Sequence, residues 1–157
     1  MSFTKDNTND NYTTDKEGWS IIKEYIPKDK TIWCPFYCDG KQKVYLNELG
    51  FNDVIHNDED FFKNDYENTI IIDNPPFGKF KSICIRLREL DKPFIIIGFP
   101  RILLMKWFQS LFKKHLQIII PFRRLTFSHL VNPKKGYTPP FGTCLLYTSD
   151  AADDLLC

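Results

Sequence analysis

Apolar residues in this chain recur at two alternating spacings, one helical and one strand-like. Trp19, Ile22 and Ile26 lie three and four apart, which predicts a short amphipathic helix over 17–25, ended by Pro27. Thr31 to Tyr37 (TIWCPFY) reads as a first strand, with Cys38-Asp39-Gly40 as its turn. A second helix is expected over 41–49, with Val44, Tyr45, Leu46 and Leu49 as its apolar face and Gly50 as its C-cap. Phe51 to His56 predicts a second strand, followed by the acidic run Asn57-Asp58-Glu59-Asp60 and the pair Phe61-Phe62. Further on, Ile83, Leu87 and Leu90 share one face of a helix expected over 80–90, which Asp91-Lys92-Pro93 stops. Phe94 to Gly98 (FIIIG) reads as a buried strand, 101–112 as a helix, and 116–121 as another strand that 122–130 either continues or leaves. Strand and helix alternate throughout, which predicts an α/β fold: a mostly parallel sheet with right-handed crossovers and helices on both faces.

One stretch organises the rest. Thr69 to Gly78 (TIIIDNPPFG) runs from β-branched apolar residues straight into an acid, an amide, two prolines and a ring. The isoleucines favour a buried strand. Neither proline offers an N–H, and Pro75 pushes Asn74 out of helical backbone space. A polar side chain and an aromatic therefore sit on a stiff turn at the carboxyl end of an interior strand, where open α/β sheets bind ligands. The chemistry available there is specific. A nucleobase amino group is a poor nucleophile, because its lone pair is delocalised into the ring. Two acceptors aimed at its hydrogens, the Asn74 side-chain oxygen and the Pro75 carbonyl, would hold the nitrogen near sp³ geometry and stabilise its developing positive charge. Phe77 offers a face for an extruded base.

Composition narrows the setting. The chain has 157 residues, 43% hydrophobic and 15% aromatic, enough for one domain with a real core, expected over 17–143 with no linker inside it. Residues 1–16 are polar, lack the apolar region of a signal peptide and are expected to be disordered. The most apolar stretch, Phe94 to Phe112, is broken by Pro100, Arg101 and Lys106, so no membrane span is expected. A cytoplasmic protein with reduced thiols follows, and the cysteine spacings (34, 38, 84, 144, 157) match no zinc pattern, so no metal is expected. None of the three histidines has ligand or nucleophile spacing. The net charge of +1 conceals an asymmetry. Residues 1–78 hold 8 Lys and Arg against 15 Asp and Glu, whereas 79–143 hold 13 against 2. A basic half in a nearly neutral protein points to a polyanionic partner. Arg123, Arg124, Lys134 and Lys135, interleaved with Phe122, Phe127 and Tyr137, are the candidate nucleic-acid contacts.

Asn74-Pro75-Pro76-Phe77 resembles the catalytic loop of the amino-group DNA methyltransferases, (Asp/Asn/Ser)-Pro-Pro-(Tyr/Phe/Trp), and the chain looks closest to their compact adenine-type members from phages and other mobile elements. NPPF also resembles the loop of enzymes that methylate glutamine amides. The resemblance implies a Rossmann-like methyltransferase sheet, S-adenosylmethionine as cofactor, DNA as substrate, and a catalytic set of Asn74, Pro75, Pro76 and Phe77. It also implies cofactor contacts. In the family the first strand ends near an FxGxG motif; Phe36 and Gly40 fit its first and last places, with Asp39 beside them and Cys38 where the middle glycine stands. Asp58 matches the acid that binds the cofactor ribose, and Asp60-Phe61 matches the pair that meets the adenine ring, although a helix and strand normally separate the two.

The end of the chain fits none of this. Cys144 to Asp154 (CLLYTSDAADD) resembles the in-frame translation of a transposon-type sequencing adaptor. The expectation is a natural sequence that stops near Thr143, a non-native tail over 144–157, and a sheet lacking its last strand.

Overall fold

The computed structural model of the chain describes residues 12–113, 116–131, 136–137 and 142–148, with the backbone alone at 136–137. The elements run β1 (Tyr12–Thr14), α1 (Lys16–Ser20), β2 (Thr31–Trp33), α2 (Lys41–Glu48), β3 (Val54–Ile55) and β4 (Thr69–Asp73). They continue with α3 (Phe80–Leu90), β5 (Phe94–Gly98), α4 (Lys106–Leu111), β6 (Gln117–Ile119), β7 (Phe127–His129), β8 (Gly136–Tyr137) and β9 (Cys144–Thr148). Short 3₁₀ turns occupy Lys23–Tyr25, Phe77–Lys79 and Pro100–Leu104. The helix expected over 17–25 is thus an α-turn followed by a 3₁₀ turn, and that over 101–112 is likewise divided, at extended Met105.

Six strands form the main sheet in the order β3-β2-β4-β5-β9-β6. The first four are parallel, and β9 runs antiparallel to both β5 and β6. This is a mixed α/β fold with a mostly parallel sheet. Strand alternation sorts the core into two layers. Ile32, Ile70, Ile72, Ile95, Ile97 and Leu145 pack with Trp19, Ile22 and Leu46 from the α1 and α2 side. Trp33, Ile71, Phe94, Ile96 and Leu146 pack with Ile83, Leu87 and Phe108 from α3 and α4. Both faces of β4 and β5 are therefore covered, which is why their sequences are continuously apolar instead of alternating. One apolar position was misjudged: Val44, expected on the buried face of α2, is 52% exposed, and Gln42 is buried instead.

Two expectations about the chain ends are corrected. Tyr12–Thr14, placed in a disordered segment, forms an antiparallel strand against β7 in a second, three-stranded sheet, β1-β7-β8. Its partners hold it. The Tyr12 ring meets His129 edge-on at 5.0 Å, and the Ser128 hydroxyl donates to Asp15 Oδ1 at 2.6 Å. Gly18 lets α1 press against this strand, since a Cβ there would lie 2.9 Å from the Thr14 methyl carbon. At the other end, Cys144–Thr148 is no appendage. It is the strand between β5 and β6, with Ile96 opposite Leu146 and Ile97 opposite Leu145. Cys144, Leu145 and Leu146 are buried on alternating faces, a pattern any apolar strand of that register satisfies whatever its origin. The position expected to be empty is filled.

Removing that strand exposes β5 and leaves β6 without the neighbour that joins it to the sheet. A chain ending at Thr143 should lose its cooperative thermal transition and elute as aggregates in size-exclusion chromatography. Leu146→Asp, which buries a charge in the core layer under α3 and α4, should do the same.

Candidate active site

From β2 the chain passes to β3 on one side and to β4 on the other, so the carboxyl ends of β2 and β4 form the switch point of the sheet. Asp73 closes β4 there and is 1% exposed. Its Oδ2 accepts the Phe36 N–H at 2.6 Å, and its Oδ1 accepts the Asn74 N–H at 2.8 Å. One carboxylate thus ties the loop after β2 to the loop after β4. Burial pushes the Asp73 carboxyl well above its usual range, and the two N–H donors pull it back in part. Gln42 makes a second tie. As β2 turns away after Trp33, the Gln42 amide reaches in from α2, donating to the Ile72 carbonyl at 2.7 Å and to Cys34 Sγ at 3.2 Å. His56, 6% exposed, lies with Nδ1 2.8 Å from the Cys34 carbonyl. That contact assigns the ring proton to Nδ1, and burial lowers the imidazole pKa.

Beside the Asp73 clamp opens a small cleft lined by Tyr12–Thr14, Phe36–Asp39, Gln42, Asp73 and Asn74. The turn on its floor is tightly wound. Gly40 N–H donates to the Tyr37 carbonyl at 2.8 Å, and Asp39 accepts the Lys41 N–H at 3.1 Å and pairs with Lys41 Nζ at 3.0 Å. Gly40 has φ +76°, and the Tyr37 hydroxyl lies 3.0 Å from where a Cβ would stand. Cys38 has φ +52°. This left-handed backbone explains why glycine suits the position, and a β-carbon there costs about 1–2 kcal/mol. The Cys38 side chain is exposed at this turn, and desolvation by the surrounding loop together with the neighbouring Asp39 charge pushes its thiol pKa up to about 12.

Asn74 is half-buried on the rim of the cleft, Pro75 is buried behind it, and Pro76 leads into the 3₁₀ turn that carries Phe77. The Phe77 ring is held edge-on by Phe99 at 5.5 Å and Phe80 at 6.0 Å. Of the residues expected to meet a cofactor, Phe36 and Asp39 line the cleft, and Gly40 shapes its turn. The acidic run lies elsewhere. Asp58 is exposed, and Asp60 serves its own turn, accepting the Phe62 N–H at 3.0 Å and pairing with Lys63. Phe61, 1% exposed, is wedged among Trp33, Phe36 and Phe62 in the core. None of these three lines the cleft. Arg123 and Arg124 are exposed beyond β6, while Lys134 and Lys135 lie outside the described residues. Sequence reasoning missed Asp73 and Gln42 as ties and β1 as a wall. The acid closing a run of isoleucines was the available signal for the first, and nothing local marked the others.

No protein-family model matches the chain, and no curated protein matches it. Among solved structures it is similar to a possible methylase from Clostridium difficile 630, at 14% identity and a TM-score of 0.34. The likeness covers 87% of this chain and 37% of that one, so this chain spans little over a third of that protein's length. At such similarity it says nothing about function. Among the described residues no helix is long and apolar enough to cross a membrane, and no cluster of His, Cys, Asp and Glu could hold a metal ion.

Two outcomes follow from the geometry. Cys38→Gly should raise stability by roughly 0.5–1 kcal/mol in urea melts, the strain relieved less the entropy that glycine costs. Asp73 binds its proton more tightly folded than unfolded. Its contribution is therefore complete below the ordinary value of 3.8 and is lost as pH climbs through the raised one. As pH rises from about 4 through the raised value, the wild type should lose stability relative to Asp73→Asn.

Proposed function

We infer that this protein transfers a methyl group from S-adenosylmethionine to a nucleobase amino group, the N6 of adenine in DNA. The observation that carries the reading is the clamp. Asp73 fixes the start of Asn74-Pro75-Pro76-Phe77 against the loop after β2, at the rim of the cleft on the switch point. Asn74, Pro75 and Phe77 follow one another there on a backbone that two prolines stiffen.

The cleft suits the cofactor in kind. Its walls mix the Phe36 and Tyr37 rings with Asp39, and Thr14 Oγ1 is buried beside it with no hydrogen-bond partner among the described residues. Phe36, Asp39 and the Gly40 turn would hold the cofactor, which supplies an electrophilic methyl group carried on sulfur. The protein's own part is to present the acceptor nitrogen. Asn74 Oδ1 and the Pro75 carbonyl accept the two amino hydrogens, and the lone pair then points away from the ring plane. On a turn stiffened by two prolines such acceptors need little reorganisation to stabilise the charge that develops on nitrogen. Phe77, braced by Phe80 and Phe99, would supply the ring on which the extruded base stacks. This role asks for neither a metal nor a strong general base.

Isothermal calorimetry with S-adenosylmethionine, followed by incubation with unmethylated DNA and analysis for N6-methyladenine, tests the reading. Heat of binding and methylated adenine are expected; a folded protein that takes up no cofactor would refute it and leave a non-catalytic nucleic-acid-binding module. Cofactor binding with methylation found only on RNA or a protein amide would refute the substrate alone. Asn74→Ala should lower transfer by about 100-fold or more while changing cofactor affinity only a few-fold.

A further inference from the structure

β6 is an outer strand of the main sheet, and it points the same way as β4 and β5, because β9 is antiparallel to both β5 and β6. The residues that follow β6 therefore leave the sheet at the same rim as Asn74, three strand spacings or roughly 15 Å to the side. What emerges there is unusual. Phe122 is fully exposed at 101%, and Ile120 is 81% exposed. Arg123 and Arg124 follow directly, both exposed, and neither makes an ion pair among the described residues. No acid is in reach along the chain: residues 92–149 contain nine Lys and Arg and no Asp or Glu. A phenylalanine wholly in water next to two free guanidiniums forms a stacking surface beside two phosphate ligands.

We propose that Phe122 is an anchor for nucleic acid, stacking on a base of the strand that flanks the target while Arg123 and Arg124 bind the adjoining phosphates. This rests on the nucleic-acid part of the reading above. The distance separates its role from that of Phe77: roughly 15 Å is about four base steps, so Phe122 meets a neighbouring base and not the reacting one. Charge selects the occupant. A second copy paired along the open edge of β6 would set arginines against arginines with no acid between them, whereas a polyanion neutralises them.

Fluorescence anisotropy with labelled single-stranded and duplex oligonucleotides over a range of salt tests the proposal, using the full chain. Phe122→Ala should weaken binding about 5- to 100-fold with an unchanged salt slope. Replacing both arginines by glutamine should reduce the slope of log K against log salt by about 1.5. Phe122→Trp should restore affinity, and its added indole emission should be quenched by DNA. The side chain is fully exposed, so thermal melts of all variants should match the wild type. Wild-type affinity in Phe122→Ala overturns the proposal, as does absence of DNA binding by the wild type. It is equally overturned if Phe122 governs only dimer formation or partition onto anionic vesicles. The two readings fail separately. Phe122-dependent DNA binding without methyl transfer sinks the enzyme and spares the anchor, while methyl transfer with unchanged DNA affinity in Phe122→Ala does the reverse.

Discussion

Two short hydrogen bonds to one buried carboxylate set the geometry on which the rest of the site depends. Asp73 receives the backbone N–H of Phe36 from one loop and that of Asn74 from another. Neither loop has a strand partner at that point, so both N–H groups would otherwise be unsatisfied next to the core. A carboxylate is suited to this, since it can accept from both at once without rotating either backbone. The cost is desolvation of an acid, which two hydrogen bonds to its charged form offset in part. The isoleucines above it contribute stability, whereas Asp73 contributes registration: it decides that the loop carrying Asn74 lies against the wall of the cleft.

The surrounding residues extend that registration outward. Gln42 ties α2 to the last turn of β4, and His56 ties the end of β3 to the carbonyl of Cys34. The aromatic cluster of Trp33, Phe36 and Phe61 backs the same loop from the other side of the sheet. The floor of the cleft is therefore held by polar ties and its underside by ring packing. Cys38 is the one residue in this frame whose type disagrees with its backbone, and the mismatch is confined to a turn already fixed at both ends.

Where local sequence decides structure, the sequence could be read closely. α3 and β5 match their expected spans because helical periodicity and a β-branched run each identify themselves without help from elsewhere. The NPPF turn was equally legible, since proline excludes most alternatives. What escaped reading is what long-range contacts create. Tyr12-Thr13-Thr14 is a strand only because β7 lies beside it, more than a hundred residues away in sequence. Phe61 and the acids near it carried a plausible pattern, yet packing against Trp33 took the ring and a tight turn took Asp60. β9 was discounted for its resemblance to foreign sequence, although a sheet recognises only alternation and register.

The place of β9 also shapes how the chain reaches its fold. Phe94 and Thr148 are hydrogen-bonded partners separated by 54 residues. β5, whose five residues are all buried, is therefore translated long before the strand that shields its outer edge. At about 5–20 residues per second that delay lasts several seconds, during which FIIIG is an open template for misassembly. Among the described residues β9 is the strand made latest, and its arrival closes the outer edge of β5.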